Sequence, residues 1–403
     1  MCLLTPFRPL IRDPALALAA GLLVLFGAHA ATLAPYVSAL AVTVFGLSNS
    51  AYSALLVVAS VLSVASSVGF GILADQRANR RAIALACVGF LTAGTALMAL
   101  GPSVPAFVLA HALVLPLSGS LFGQLFALAR LAATTHPEAD RPAILSTLRA
   151  AFALPWVVVL PLWSLAFEAD VPLMRVYPVS LIVAAAMLAL VWAFWPRDGA
   201  TRWPDPKSGL SFRASLREMA EGRVLARVLC LGTVHGSVTL YLVVIGLVFA
   251  TIPFRGAGDV ALYAGAVAGL EVPFMLALPL VVGRIARGKL IVIGTALYAT
   301  HLAFLPVLAP TPFVWLLVLP AALGGAVVLT QPMAYLQDLL AARPGAGASL
   351  MALQKLAGDA ICASVFAIGT AIAGYGLAAA LGAGLALCGA TTLWLMDRHQ
   401  TRA

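Results

Sequence analysis

Residues 51–101 read AYSALLVVASVLSVASSVGFGILADQRANRRAIALACVGFLTAGTALMALG. Two long apolar runs flank a polar turn, Asp75 to Arg81, that carries one acid and the arginines Arg77, Arg80 and Arg81. At 1.5 Å per residue either run crosses roughly 30 Å of hydrocarbon as a helix. A helix is required because lipid offers no partner for backbone N–H and C=O groups, and only helices and closed barrels satisfy them internally. Barrel strands would alternate in character over about ten residues, and neither run does. The stretch reads as two membrane helices joined by a basic turn.

Outward from this pair the same unit recurs. Spans are expected near 14–37, 50–73, 82–101, 105–129, 144–167, 173–195, 223–250, 259–282, 289–308, 312–337, 347–373 and 375–396. Of the 24 Lys and Arg, all but Arg175 and Arg255 belong to one side of this alternation. That asymmetry places the basic loops and both termini in the cytoplasm. With 62% hydrophobic and 10% charged residues, a water-soluble particle is excluded and lipid becomes the solvent. The net charge of +9 lies in short loops that orient helices and meet anionic lipid, which argues against nucleic acid. The first run, from about Pro14 to Val37, is long enough to span and has no convincing cleavage site, so it reads as a retained helix. Cys2, Cys87, Cys230, Cys362 and Cys388 have no CxxC spacing or His partner, so neither disulfides nor a metal site is expected.

The polar stretch Pro196 to Gly222 divides the chain into two sets of six spans. Within it Phe212, Leu216, Met219 and Ala220 recur at helical spacing, and Ser215 to Glu218 has capping-box spacing, as a helix lying on the membrane surface would. The halves match weakly at a shift of about 206 residues: His29 falls on His235 and Arg149 on Lys355, and one residue further Gln124 falls on Gln331 and Pro105 on Pro312. The expectation is an all-α membrane protein of twelve transmembrane helices in two pseudo-symmetric six-helix bundles, 1–195 and 223–403, joined by a linker, 196–222. Parallel repeats of this kind form the major facilitator fold, with its site between halves near the midplane and alternating access by rocking.

Several segments carry a more specific resemblance. Gly71-Ile72-Leu73-Ala74-Asp75-Gln76-Arg77-Ala78-Asn79-Arg80-Arg81 resembles the signature loop of the major facilitator superfamily. There the glycine permits close helix approach, the acid engages a neighbouring helix end and the basic residues hold the cytoplasmic side closed. This resemblance assigns gating to Gly71, Asp75, Arg80 and Arg81, while the counterpart at Gly283 to Lys289 lacks the acid. Asp75, Asn79, Arg80 and Arg81 are further similar to the variant of this loop in bacterial sugar efflux transporters. Leu148-Arg149-Ala150 with Trp156-Val157 and Pro161-Leu162 resembles the fifth helix of that family, Gly269-Leu270-Glu271-Val272-Pro273 with Met275-Leu276 its eighth, and Tyr335-Leu336-Gln337-Asp338 the end of its tenth. Leu336 replaces an aromatic, and Met351 to Lys355 replaces an Asn-rich segment. The resemblance implies sugar export across a bacterial inner membrane.

Ionisable side chains inside the spans speak without the resemblance, because a charge at a helix centre costs about 2.5–3.5 kcal/mol on insertion scales. Glu271 lies mid-span between Gly269 and Pro273. A low-dielectric surrounding penalises the charged carboxylate, so this group suits proton coupling or, equally, a protonated carboxyl bonding two helices. Lys355 and Asp359, four residues apart, share a helical face and can pair, either for coupling or as a structural pair. Arg149 can donate several hydrogen bonds to a hydroxylated ligand, pair with Asp338 as an inner gate, or snorkel to headgroups.

His29 and His235 sit halfway through the first and seventh spans, and His111 in the fourth. The first two face either a substrate or a neighbouring helix. A sugar site needs amides for hydroxyls and an aromatic face for the ring. Gln124, Gln331, Gln354, Tyr241, Tyr335 and Trp156 supply both, although Gln also joins helices and Trp and Tyr also populate interface belts. No ATP-binding, HExxH or GxSxG motif occurs, so the expectation is a transporter and not an enzyme, without cofactor or metal, and monomeric. Its partners would be a small-molecule sugar or analogue, protons and membrane lipid. A proton-coupled multidrug exporter is the alternative, and a non-transporting membrane receptor the next.

Overall fold

The computed structural model of the protein describes residues 12–77, 80–197, 199–203, 221–282, 284–339 and 344–400. The surface helix expected between Phe212 and Ala220 lies outside them. Among the described residues twelve helices are long and apolar enough to cross a membrane. In the first half they are α1 (Pro14–Leu33), α2 (Asn49–Arg77), α3 (Arg80–Leu100), α4 (Val104–Ala133), α5 (Arg141–Glu168) and α6 (Val176–Phe194). The second half supplies α7 (Gly222–Ala250), α8 (Ala257–Ala277), α9 (Arg287–Leu308), α10 (Val318–Leu339), α11 (Pro344–Ile372) and α12 (Tyr375–Gln400). The chain is thus an all-helical, multi-pass membrane protein.

Local chemistry explains where helices start and bend. Asp13 caps α1 by accepting the N–H groups of Ala15 at 2.8 Å and Leu16 at 3.2 Å, with Pro14 in the first turn. Ser103 caps α4 through Ala106 N–H at 3.3 Å. Farther along, α4 loosens into a π turn at Leu109–Val114 and tightens into a 3-10 turn at Leu115–Ser120, where Pro116 supplies no N–H. Pro155 and Pro161 in α5, Pro273 in α8, Pro306 in α9 and Pro332 in α10 lie inside helices, which neighbouring helices in a membrane tolerate. Bulky apolar side chains such as Leu276, Ile372, Leu316 and Ile182 point outward at 69–72% exposure. Lipid is their solvent.

Backbone contacts divide the chain into two compact units. One comprises the described residues of Met1–Ala34, Leu62–Leu162 and Val171–Leu210; the other comprises those of Pro35–Val61, Trp163–Asp170 and Ser211–Ala403. The first unit is centred on apolar side chains from α1, α3, α4, α5 and α6, including Leu16, Leu22, Leu91, Leu125, Leu148 and Met187. The second unit contains α7 to α12 together with the first part of α2 and the end of α5. Arg255, a cation on the arginine-poor side, staples that unit: it pairs with Asp259 at 2.9 Å and donates to the carbonyls of Ala309 at 3.3 Å and Thr311 at 3.1 Å. It also lies over the Trp315 ring at 5.7 Å, so its charge is satisfied by acceptors and an aromatic face.

Candidate functional site

The polar centre of the second unit depends on a close helix pair. On α7, Gly232 and Gly236 lie one turn apart and face Gly358 on α11. A Cβ at Gly358 would stand 2.8 Å from the Gly232 carbonyl oxygen, 2.9 Å from Gly236 N and 2.8 Å from Cδ2 of His235. Small residues spaced in this way let two backbones approach within a membrane. The next residue on α11 is Asp359, which the contact delivers to the polar side chains of α7.

Four side chains converge on that carboxylate. Thr239 Oγ1 donates to Asp359 Oδ1 at 3.1 Å, and His235 Nε2 lies 3.8 Å from the same oxygen, an ion pair when the imidazole is protonated. Ser60 Oγ, on the part of α2 that belongs to this unit, donates to Oδ2 at 2.9 Å. Lys355, one turn back on α11, forms an ion pair with Oδ2. Asp359 is 7% exposed, whereas the Lys355 side chain is 49% exposed. The anion is therefore the enclosed partner and the cation the accessible one. A protonated carboxyl would lose its attraction for Lys355, and one of its oxygens would become a donor. The cluster can therefore convert a change of charge into a change in how α2, α7 and α11 are joined.

The other sequence-selected residues of this unit lie elsewhere. Gln354 Nε2 donates to the Leu231 carbonyl at 3.3 Å, again across the α7 and α11 seam. Gln331 on α10 is 6% exposed and reaches Thr330 Oγ1 at 3.4 Å. Tyr241 is buried, and its hydroxyl has no hydrogen-bond partner among the described residues. Tyr335 is committed: its hydroxyl accepts from Arg227 Nε at 2.9 Å and donates to Asp397 Oδ1 at 2.8 Å. Asp338 pairs with Arg287 at the start of α9. The Glu271 carboxyl lies against Gly325 of α10, where a Cβ would overlap it.

In the first unit, His29 is 5% exposed and its Nε2 has no partner among the described residues. His111 stacks on Phe107 at 4.4 Å and shares a 2.9 Å hydrogen bond with the Tyr177 hydroxyl, the donor depending on the tautomer. Gln124 donates to Ser120 Oγ at 3.2 Å, while its Oε1 is buried without a partner among the described residues. Arg149 is exposed with its guanidinium 5.9 Å from the Phe126 ring. Trp156 is half-buried on α5. Gly71 has open space where a Cβ would be, and Asp75 is on the last turns of α2. Arg80 and Arg81 open α3, and Arg81 donates to the Trp192 carbonyl of α6 at 2.7 Å.

Sequence reasoning did not select Ser60, Thr239, Arg227, Asp397 or His301. Ser60 and Thr239 resemble many other small hydroxyl residues in the spans, and only the fold brings them to Asp359. Arg227 was visible as a charge in a span, which is itself a signal.

Twelve membrane-length helices in this arrangement have the fold of the major facilitator transporters. No family model matches the chain, and no curated protein matches it either. Solved structures do: the nucleoside transporter NupG aligns with a TM-score of 0.72 at 13% identity, covering 94% of this chain and 99% of that one. A D-xylose-proton symporter aligns at 0.71 and 18% identity, covering 95% and 97%. The human organic anion transporter MFSD10 aligns at 0.62 and 17% identity, covering 95% and 99%. At these identities the similarity defines the fold.

Proposed function

We propose that the protein is a secondary active transporter that exports sugars or sugar analogues across a bacterial inner membrane, driven by inward proton flow. The reading rests above all on the Asp359 cluster. A carboxylate at 7% exposure inside apolar helices is expensive, and here it joins hydroxyl, imidazole and ammonium groups from three helices. Such a centre is of little use to a static scaffold, and it supports proton coupling through Asp359 and Lys355. Glu271 is the second proton-carrying candidate. His29, Gln124, Arg149, Trp156, His235, Tyr241, Gln331, Tyr335 and Gln354 are proposed to contact substrate during the cycle, and Gly71, Asp75, Arg80, Arg81 and Asp338 to gate it. Among the structural neighbours a D-xylose-proton symporter supports coupled movement of sugar and protons on this fold, but as symport and not as the antiport proposed for this chain.

The test is uptake of labelled sugars, with a cationic dye for comparison, into inside-out vesicles with and without a pH gradient. Gradient-dependent sugar accumulation that a protonophore collapses is expected. Accumulation of the dye alone would replace sugar export by multidrug export, and no flux of either would count against both.

A further inference from the structure

Four rings of the second unit form a buried cluster with unusual polar content. Tyr241 of α7, Tyr263 of α8, and Tyr298 and His301 of α9 pack together, with the His301 ring 4.9 Å from Tyr241, 5.3 Å from Tyr298 and 5.9 Å from Tyr263, on which it stacks. Trp315 closes one side at 5.8 Å from Tyr263, and Glu271 is within electrostatic reach of Tyr241 and Tyr298. Tyr263 and His301 are fully buried, and Tyr241 is 5% exposed. Nevertheless the Tyr241 and Tyr263 hydroxyls and both His301 ring nitrogens have no hydrogen-bond partner among the described residues.

An ordinary apolar core would not be built this way. Each buried polar group left unsatisfied costs about 1–3 kcal/mol, and phenylalanine would fill the same space without that cost. Groups so arranged are held ready for a partner that arrives from outside the protein. Phenols and a neutral imidazole each offer a donor and an acceptor, the rings offer flat apolar faces, and Glu271 adds a further acceptor or donor. Of small solutes, a neutral ring with many hydroxyls matches both features at once.

We infer that His301, Tyr241, Tyr263 and Tyr298, with Glu271 and Trp315, form a binding subsite for a polyhydroxylated ring within the second half, and that His301 and Tyr263 set its specificity. The inference rests on the sugar-export reading and adds the site to it. Access requires the rings to part, as a site that closes over its ligand does.

The experiment pairs two measurements on the purified protein in lipid nanodiscs: equilibrium binding of a labelled mono- and disaccharide panel with tetraphenylphosphonium as comparison, and thermal unfolding without ligand. Tyr263→Phe and His301→Phe remove hydrogen-bonding groups while keeping a ring. Each is expected to weaken sugar binding about three- to tenfold, the worth of a hydrogen bond between neutral groups, while raising the unfolding temperature of the ligand-free protein. Loss of affinity together with gained stability is the signature of a binding group held unsatisfied. Sugar binding that both variants leave unchanged would overturn the subsite but leave the export reading intact. Absence of sugar binding by the unaltered protein, with tetraphenylphosphonium bound instead, would overturn the export reading and this inference together.

Discussion

Two carboxyl groups in the second unit, both proposed for proton coupling, experience opposite surroundings. Asp359 is ringed by Ser60, Thr239, His235 and Lys355, so its charge is compensated. Glu271 lies against the bare backbone of Gly325 among tyrosines. Replacement of Asp359 by Asn keeps the shape and much of the hydrogen bonding but leaves Lys355 without its counter-charge. Asp359→Asn is expected to reduce gradient-driven sugar accumulation at least about tenfold, equivalent to about 1.4 kcal/mol, while counterflow exchange in the same vesicles is largely retained. Glu271→Gln, which fixes the side chain in a neutral state, is expected to reduce gradient-driven accumulation likewise, with exchange only partly retained because Glu271 also borders the proposed ring subsite. Unchanged accumulation in either variant would remove that residue from proton coupling. The Lys355 and Asp359 pair was legible in the sequence because a helix sets residues four apart on one face. Ser60, 299 positions away from Asp359, was not, because nothing local distinguishes a serine that reaches a buried acid from one that bonds its own helix.

Helix contacts control what those residues can do. The span positions were readable from hydropathy alone: the expected 14–37 is observed as Pro14–Leu33, and 375–396 as Tyr375–Gln400. The π and 3-10 turns of α4 were not readable, since hydropathy records length and apolarity but not backbone winding. Nor was the seam of α7 and α11, because the sequence is rich in glycine and most glycines resemble one another until the partner helix is known. A Cβ at Gly358 would come within 2.8–2.9 Å of atoms of α7, whereas Gly384 on α12 has no described atom within 4 Å of its would-be Cβ. Gly358→Val is therefore expected to destabilise the protein by about 1–3 kcal/mol through overpacking and to separate His235 from Asp359. Gly384→Ala should be neutral or stabilising by up to about 1 kcal/mol, because a helix loses less entropy with alanine. Thermal unfolding of both variants in one detergent checks the contrast, and equal effects would mean that the seam is not under packing constraint.

At the scale of the whole molecule, the distribution of charge carries an argument that helix packing cannot. A twelve-helix protein with this fold is compatible with either orientation, and orientation follows from which loops hold Lys and Arg within reach of the membrane. Arg175 and Arg255 stand alone on one side, and Arg255 is already engaged by Asp259, two carbonyls and Trp315. It is a staple between connections and contributes little free positive charge to that surface. The bias toward the other side is correspondingly sharper than the bare count. Single cysteines introduced at Ser103, Asp170 and Thr311, in a variant whose native cysteines are replaced, are expected to react with a membrane-impermeant maleimide added to intact cells. Cysteines at Thr134, Thr201 and Asp338 should react only after the cells are opened. The reverse pattern would invert the protein and place the connection between α2 and α3 outside the cell, although an antiport driven by inward proton flow would still export.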